Sequence, residues 1–186
     1  MANIILWVVI AVVVIFIIWI IAVYNMFIVL RNRIKNALSQ IDVQLKRRYD
    51  LIPNLIETVK GYMKHERGTL TEITNARVSM LKATSLKEKA KIEDGLAGAL
   101  KTVFAVAENY PQLRASENFQ MLQEELSGTE SKIAFSRQFY NENVLSYNNA
   151  RQSFPGNILA GMFNFKEEHE FFEAETVAKK PVKVTF

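Results

Sequence analysis

From Ile4 to Val23 the chain reads IILWVVIAVVVIFIIWIIAV, twenty consecutive positions with no charged or strongly polar side chain. A helix of that length spans about 30 Å, the thickness of a bilayer's hydrocarbon core. Sixteen of the twenty residues are Ile, Val, Leu or Phe. Each favours insertion by roughly 0.3–0.6 kcal/mol, so the segment favours the membrane by several kcal/mol in all. Ile4, Trp7, Phe16, Trp19 and Val23 mark out this expected anchor, and Trp7, Trp19 and Tyr24 fall toward its ends, where amphipathic rings suit the interfaces. A cleaved signal peptide fits less well. It requires a basic residue ahead of a shorter apolar run and a small-x-small site behind it, whereas this run follows Met-Ala-Asn and exits through Trp19-Ile20-Ile21-Ala22-Val23-Tyr24-Asn25.

The residues after the anchor suffice for one domain with one core. Net charge is a modest +4 overall, but Arg31, Arg33, Lys35, Lys46, Arg47 and Arg48 face only Asp42 between positions 31 and 48. The positive-inside rule then puts residues 1–3 outside as a short exterior N-terminus, 4–23 across the bilayer, and the domain in the cytoplasm, an inner-membrane, single-pass arrangement. Arg31, Arg33 and Lys35 are the candidate contacts to anionic lipid head groups. A solvated helix face beside a membrane accounts for the same residues, and nucleic acid is not an expected partner. The absence of cysteine removes disulfides and thiolate chemistry and suits a cytoplasmic domain.

Apolar positions recur at steps of four and three through Ile34, Leu38, Ile41, Leu45, then Ile52, Leu55, Val59 and Tyr62, a heptad seam. Strand signals are nearly absent before the tail. The expected fold is all-α: a transmembrane helix followed by an antiparallel up-and-down four-helix bundle over residues 24–151, with a short apolar and extended C-terminal tail over 152–186. The stretch Arg47-Arg48-Tyr49-Asp50-Leu51-Ile52-Pro53 reads as a helix end, a cap at Asp50 and a proline in the next first turn, which cuts the first helix from a second over about 51–81. One helix kinked at Pro53 is the alternative. Ser85 with Glu88 forms a capping box opening a third helix, which runs through Ile92, Leu96, Leu100, Val103, Ala107 and Tyr110 to Pro111. A fourth covers about 116–151, with Phe119, Leu122, Leu126, Ile133, Tyr140, Val144 and Tyr147 in phase. Parity then returns the segment after Arg151 to the bilayer; with one kinked rod in place of the first two helices, it falls at the far end.

That segment is too apolar for an exposed tail. Phe154, Ile158, Met162, Phe163 and Phe165 need cover from the bundle's own end, a second subunit or the membrane interface. The last residues, with Val182, Val184 and Phe186 alternating with polar ones, predict an extended strand that pairs with a neighbouring subunit or a groove, or a frayed end.

Nothing points to catalysis. His65-Glu66 does not complete HExxH, His169 among its glutamates lacks metal-ligand spacing, and Walker, GxGxxG and GxSxG motifs are missing. No metal and no cofactor is expected. The anchor holds no polar residue for a transport path and no GxxxG face.

Three longer strings carry a family likeness: YNMFIVLRNRIKNALSQIDVQLKRRYDLIPNLIETVKGYMKHE at 24–66, AENYPQLRASENFQMLQEELSGTESKIAF at 107–135, and FYNENVLSYNNARQSFPGNILAGMF at 139–163, with FFEAE at 171–175. The chain closely resembles the LemA family, departing mildly where Leu38 stands in place of a frequent Trp. The resemblance implies a bacterial inner-membrane protein with an exterior N-terminus and a cytoplasmic helical bundle, and supplies no catalytic residues. The expected function is a membrane-anchored scaffold or interaction protein that assembles into homo-oligomers or docks a membrane or cytoplasmic protein partner at the cytoplasmic face, with membrane lipid beside it. The alternative is a protein that binds or remodels the membrane surface through the basic stretch and residues 154–165.

Overall fold

The computed structural model describes residues 1–63, 66–165 and 168–172. Every regular element among them is an α-helix: α1 (Ala2–Lys60), α2 (Arg67–Lys82), α3 (Leu86–Ala107), α4 (Pro111–Arg114), α5 (Glu117–Gln152) and α6 (Gly156–Met162). The all-helical class holds. The strand expected around Val182, Val184 and Phe186, and the neighbourhood of His65, lie outside the described residues.

The helix boundary expected at Asp50 is not there. α1 runs unbroken from the apolar segment to Lys60 with Pro53 in its interior, and Arg67–Lys82 forms a helix of its own in place of the second half of a 51–81 helix. Proline lacks the N–H that would bond the carbonyl four residues back, here that of Tyr49. Arg77 Nε on α2 donates to this Tyr49 oxygen at 3.2 Å, so the orphaned acceptor is satisfied from outside the helix. Asp50 caps nothing; it pairs with Lys46 one turn earlier at 3.5 Å. The chain turns instead after Lys60, through Gly61 and Tyr62. Tyr62 consequently leaves the predicted seam for solvent, and Met63 takes the buried place.

The other boundaries follow local chemistry. Ser85 accepts from the Glu88 backbone N–H, and the Glu88 carboxylate accepts from the Ser85 backbone in return, so the capping box forms as expected. The N–H donors at this helix start hold the Glu88 carboxyl below its usual range. α3 ends at Ala107, and Pro111 opens the short α4 rather than ending α3 directly.

The chain divides into two compact units. One is Met1–Ser39 with Gln138–Phe171; the other is Gln40–Arg137 with Phe172. The core of the second gathers Ile41, Leu45, Ile52, Leu55 and Val59 of α1, Ile73 of α2, Leu96, Leu100 and Val103 of α3, and Phe119, Leu126 and Ile133 of α5. The first unit holds the apolar run and the C-terminal segment.

Candidate membrane-interface site

Near its N-terminus α1 carries a stretch long and apolar enough to cross a membrane, and none of that stretch is buried. Ile4, Trp7 and Phe16 are exposed, while Trp19 and Val23 at the exit are half-buried. Burial begins one turn later. Phe27 is fully buried, stacked on Phe165 with ring centres 5.0 Å apart and met edge-on by Tyr147 of α5 at 5.9 Å. Tyr24 receives Phe163 edge-on at 5.1 Å and Phe165 at 5.5 Å.

These contacts place α6 beside the first turn of α1 after the apolar run. The segment following Arg151 therefore lies next to the end of the apolar run. The far-end placement tied to a single long first helix does not occur, since Phe163 and Phe165 meet Tyr24. The close approach at the α5–α6 turn requires glycine: a Cβ on Gly156 would collide with the Ala150 carbonyl oxygen and stand 3.8 Å from Phe27 Cζ.

The five candidate apolar residues of this segment part company. Phe165 is 5% exposed and belongs to the aromatic stack. Phe163 rests its edge on Tyr24 with its other side open. Phe154, Ile158 and Met162 are left 80%, 53% and 70% exposed, while Leu159 and Ala160 between them are buried. The segment is thus covered by its own unit on one side and uncovered on the other.

Arg31 is half-buried, its guanidinium 5.8 Å from the centre of the Phe165 ring, a cation–π approach. Lys35, one turn on, shares that side of α1; Arg33 projects elsewhere, since two residues turn a helix through about 200°. Both Arg33 and Lys35 are exposed.

Beyond α6 the chain is fastened to α5. Tyr147 and Asn148 donate to the backbone carbonyls of Phe165 (3.5 Å) and His169 (3.1 Å), and Tyr140 donates to that of Glu170 (3.0 Å). Arg151 pairs with Glu168 at 2.8 Å. Burial, followed by the Glu170 charge, raises the Tyr140 hydroxyl above its ordinary pKa.

Sequence reasoning missed a cluster in the second unit. Arg48, 2% exposed, makes an ion pair with the equally buried Glu93, whose other oxygen accepts from the Tyr49 hydroxyl at 2.6 Å. Glu130 approaches Arg48 at 3.7 Å, and Arg137 bonds Asp94 at 3.1 Å. Burial, then the neighbouring Glu93 carboxylate, pushes the Tyr49 hydroxyl far above its ordinary value. The signal was available: Arg48 lies three residues after Leu45 and four before Ile52, on the seam itself, and Glu93 lies three before Leu96. Among the described residues no group of three or more His, Asp or Glu side chains gathers as a metal site would require.

Residues 37–186 match the sequence pattern of the LemA family. The chain belongs to the LemA family. Among its relatives is Protein LemA of Metamycoplasma hominis, 31% identical over 135 residues, which cover 70% of this chain and 60% of that protein. Magnetosome protein MamQ of Magnetospirillum gryphiswaldense is 22% identical over 185 residues, covering 86% of this chain and 68% of the relative. Magnetosome protein MamQ 1 of Paramagnetospirillum magneticum matches to the same extent. This LemA-family chain thus spans about two thirds of the length of the relatives it matches. The family match begins at Ala37, past the apolar run and past Arg31, Arg33 and Lys35.

Proposed function

We propose that this LemA-family chain is a non-catalytic, membrane-anchored helical scaffold, with its domain on the cytoplasmic face of the inner membrane and copies that associate with one another. The observation that carries this reading is the continuity of α1. The exposed apolar run and the domain's buried seam from Ile34 to Val59 are parts of one helix, so no linker of Gly, Ser or Pro separates tether from domain. A tether of this kind suits a protein whose task is to hold a surface at the membrane. The basic residues from Arg31 to Arg48 support the cytoplasmic orientation. Exposed Met121 and Phe135 on α5 support association of copies or docking of a partner protein.

Two measurements test the reading. The protein has no cysteine, so Ser131→Cys on the exposed face of α5 reports sidedness: a membrane-impermeant maleimide should label inverted vesicles and not intact cells. Labelling of intact cells would reverse the orientation. Light scattering of the full-length protein in detergent should give a defined multiple of 21.3 kDa; a monomer at every concentration would remove self-association and leave a tethered docking domain.

A further inference from the structure

We infer that α6 is a second membrane contact: a short helix lying in the bilayer interface, its Ile158 and Met162 face, with Phe154 at the turn before it, immersed among lipid acyl chains. The inference rests on the reading of Ile4–Val23 as a transmembrane segment and names the lipid surface that the scaffold engages beside it.

Position comes first. α6 begins with Gly156 against Phe27 and is followed by Phe163 against Tyr24. Those two residues of α1 are three apart, about 4.5 Å along its axis, whereas α6 from Gly156 to Phe163 is about 10 Å long. Both ends of α6 therefore meet α1 within a single turn of one another, at Tyr24 and Phe27. Its level is the first turn beyond the twentieth apolar residue, where hydrocarbon gives way to head groups.

The faces come second. Ile158 and Met162, four residues apart, share one side of α6 and are exposed, as is Phe154; Leu159 and Ala160 point the other way and are buried. α6 thus has one side on its own unit and a Phe, Ile and Met side uncovered, packed beside the end of the apolar run, and that uncovered side is what an interfacial helix sets into the acyl boundary. Charge comes third. Arg31 stands seven residues past Tyr24, about 10 Å farther from the hydrocarbon, and leans on Phe165 of the same cluster. That is the height of phosphate groups, which an arginine reaches by extending its side chain.

The experiment uses the full chain in vesicles of phosphatidylethanolamine and phosphatidylglycerol, with nitroxide labels on Ile158→Cys and Met162→Cys, tested separately because either position alone tolerates replacement at an exposed site. Val13→Cys and Ser131→Cys serve as hydrocarbon and water references. The expected result is collision with oxygen several-fold greater, relative to a water-soluble nickel chelate, at 158 and 162 than at 131. Values at 158 and 162 equal to that at 131, with 13 reading hydrocarbon, overturn the interfacial helix and leave the anchor standing. Water-like values at 13 overturn both. Spin–spin broadening at 158 or 162 assigns the face to a second copy and also overturns the inference.

Discussion

The two units are stabilised by opposite chemistry. In the unit containing the end of the apolar run, Tyr24, Phe27, Tyr147 and Phe165 form a cluster of rings in which the Tyr147 hydroxyl reaches the Phe165 backbone carbonyl. In the other, the core encloses an ion pair, Arg48 with Glu93, braced by Tyr49. Rings give their stabilisation through burial and edge contacts that tolerate an approximate fit. A buried ion pair tolerates none, because either charge left alone carries its full desolvation cost. The unit that holds the apolar run should therefore respond to volume, and the other to charge balance and register.

The sharpest test of that contrast is removal of one charge. Arg48→Ala or Glu93→Ala should each destabilise the protein by about 3–5 kcal/mol in denaturant unfolding, whereas Arg48→Met combined with Glu93→Leu should recover most of the loss. A double variant as unstable as the singles would show that packing, not charge, governs this unit. Phe27→Ala should cost a comparable ~3–5 kcal/mol through loss of a fully buried ring, while Phe154→Ala at the exposed turn should stay within about 0.5 kcal/mol. Equal effects at the two phenylalanines would contradict the division of this segment into inward and outward residues.

Gly156→Ala should follow at about 1–3 kcal/mol, since the added methyl meets backbone at Ala150 rather than a side chain that can move aside. Smaller again is the proline repair. Arg77→Ala should cost about 1 kcal/mol with Pro53 present and less in a Pro53→Ala background, where an alanine N–H serves the Tyr49 carbonyl. Additivity in that double-mutant cycle would show that Arg77 does not compensate for the proline. The least effect is expected from pH. The Tyr49 pKa is raised on folding, so its contribution is complete below the ordinary value of 10.0 and is lost as pH climbs above it. Tyr49→Phe should flatten the fall in stability measured between neutral and strongly alkaline conditions.

Much of this organisation was legible because helix periodicity is local. The seam residues Ile34, Ile41, Leu45, Ile52, Leu55 and Val59 are all buried, and the Ser85–Glu88 box needs only a four-residue window. The mistaken break at Asp50 came from reading Arg47-Arg48 as a helix end, Asp50 as a cap and Pro53 as a residue of the next first turn, with one continuous helix as the alternative. Pro53 does remove a hydrogen bond, and no local reading reveals that Arg77, 28 residues after Tyr49, replaces it. Arg48 stands on the seam in the sequence, but only the structure supplies Glu93 as its partner.

The sequence by itself determined the apolar run, the all-helical class, the family and the amphipathic faces, since each follows from side chains within a few turns of one another. Only the tertiary structure decided that α1 passes through its proline, that Arg48 on the seam pairs with Glu93, and that Phe165 turns inward while Ile158 and Met162 face out. Each of those outcomes depends on which distant segment arrives as a neighbour, and on whether it offers a donor, a counter-charge or a ring.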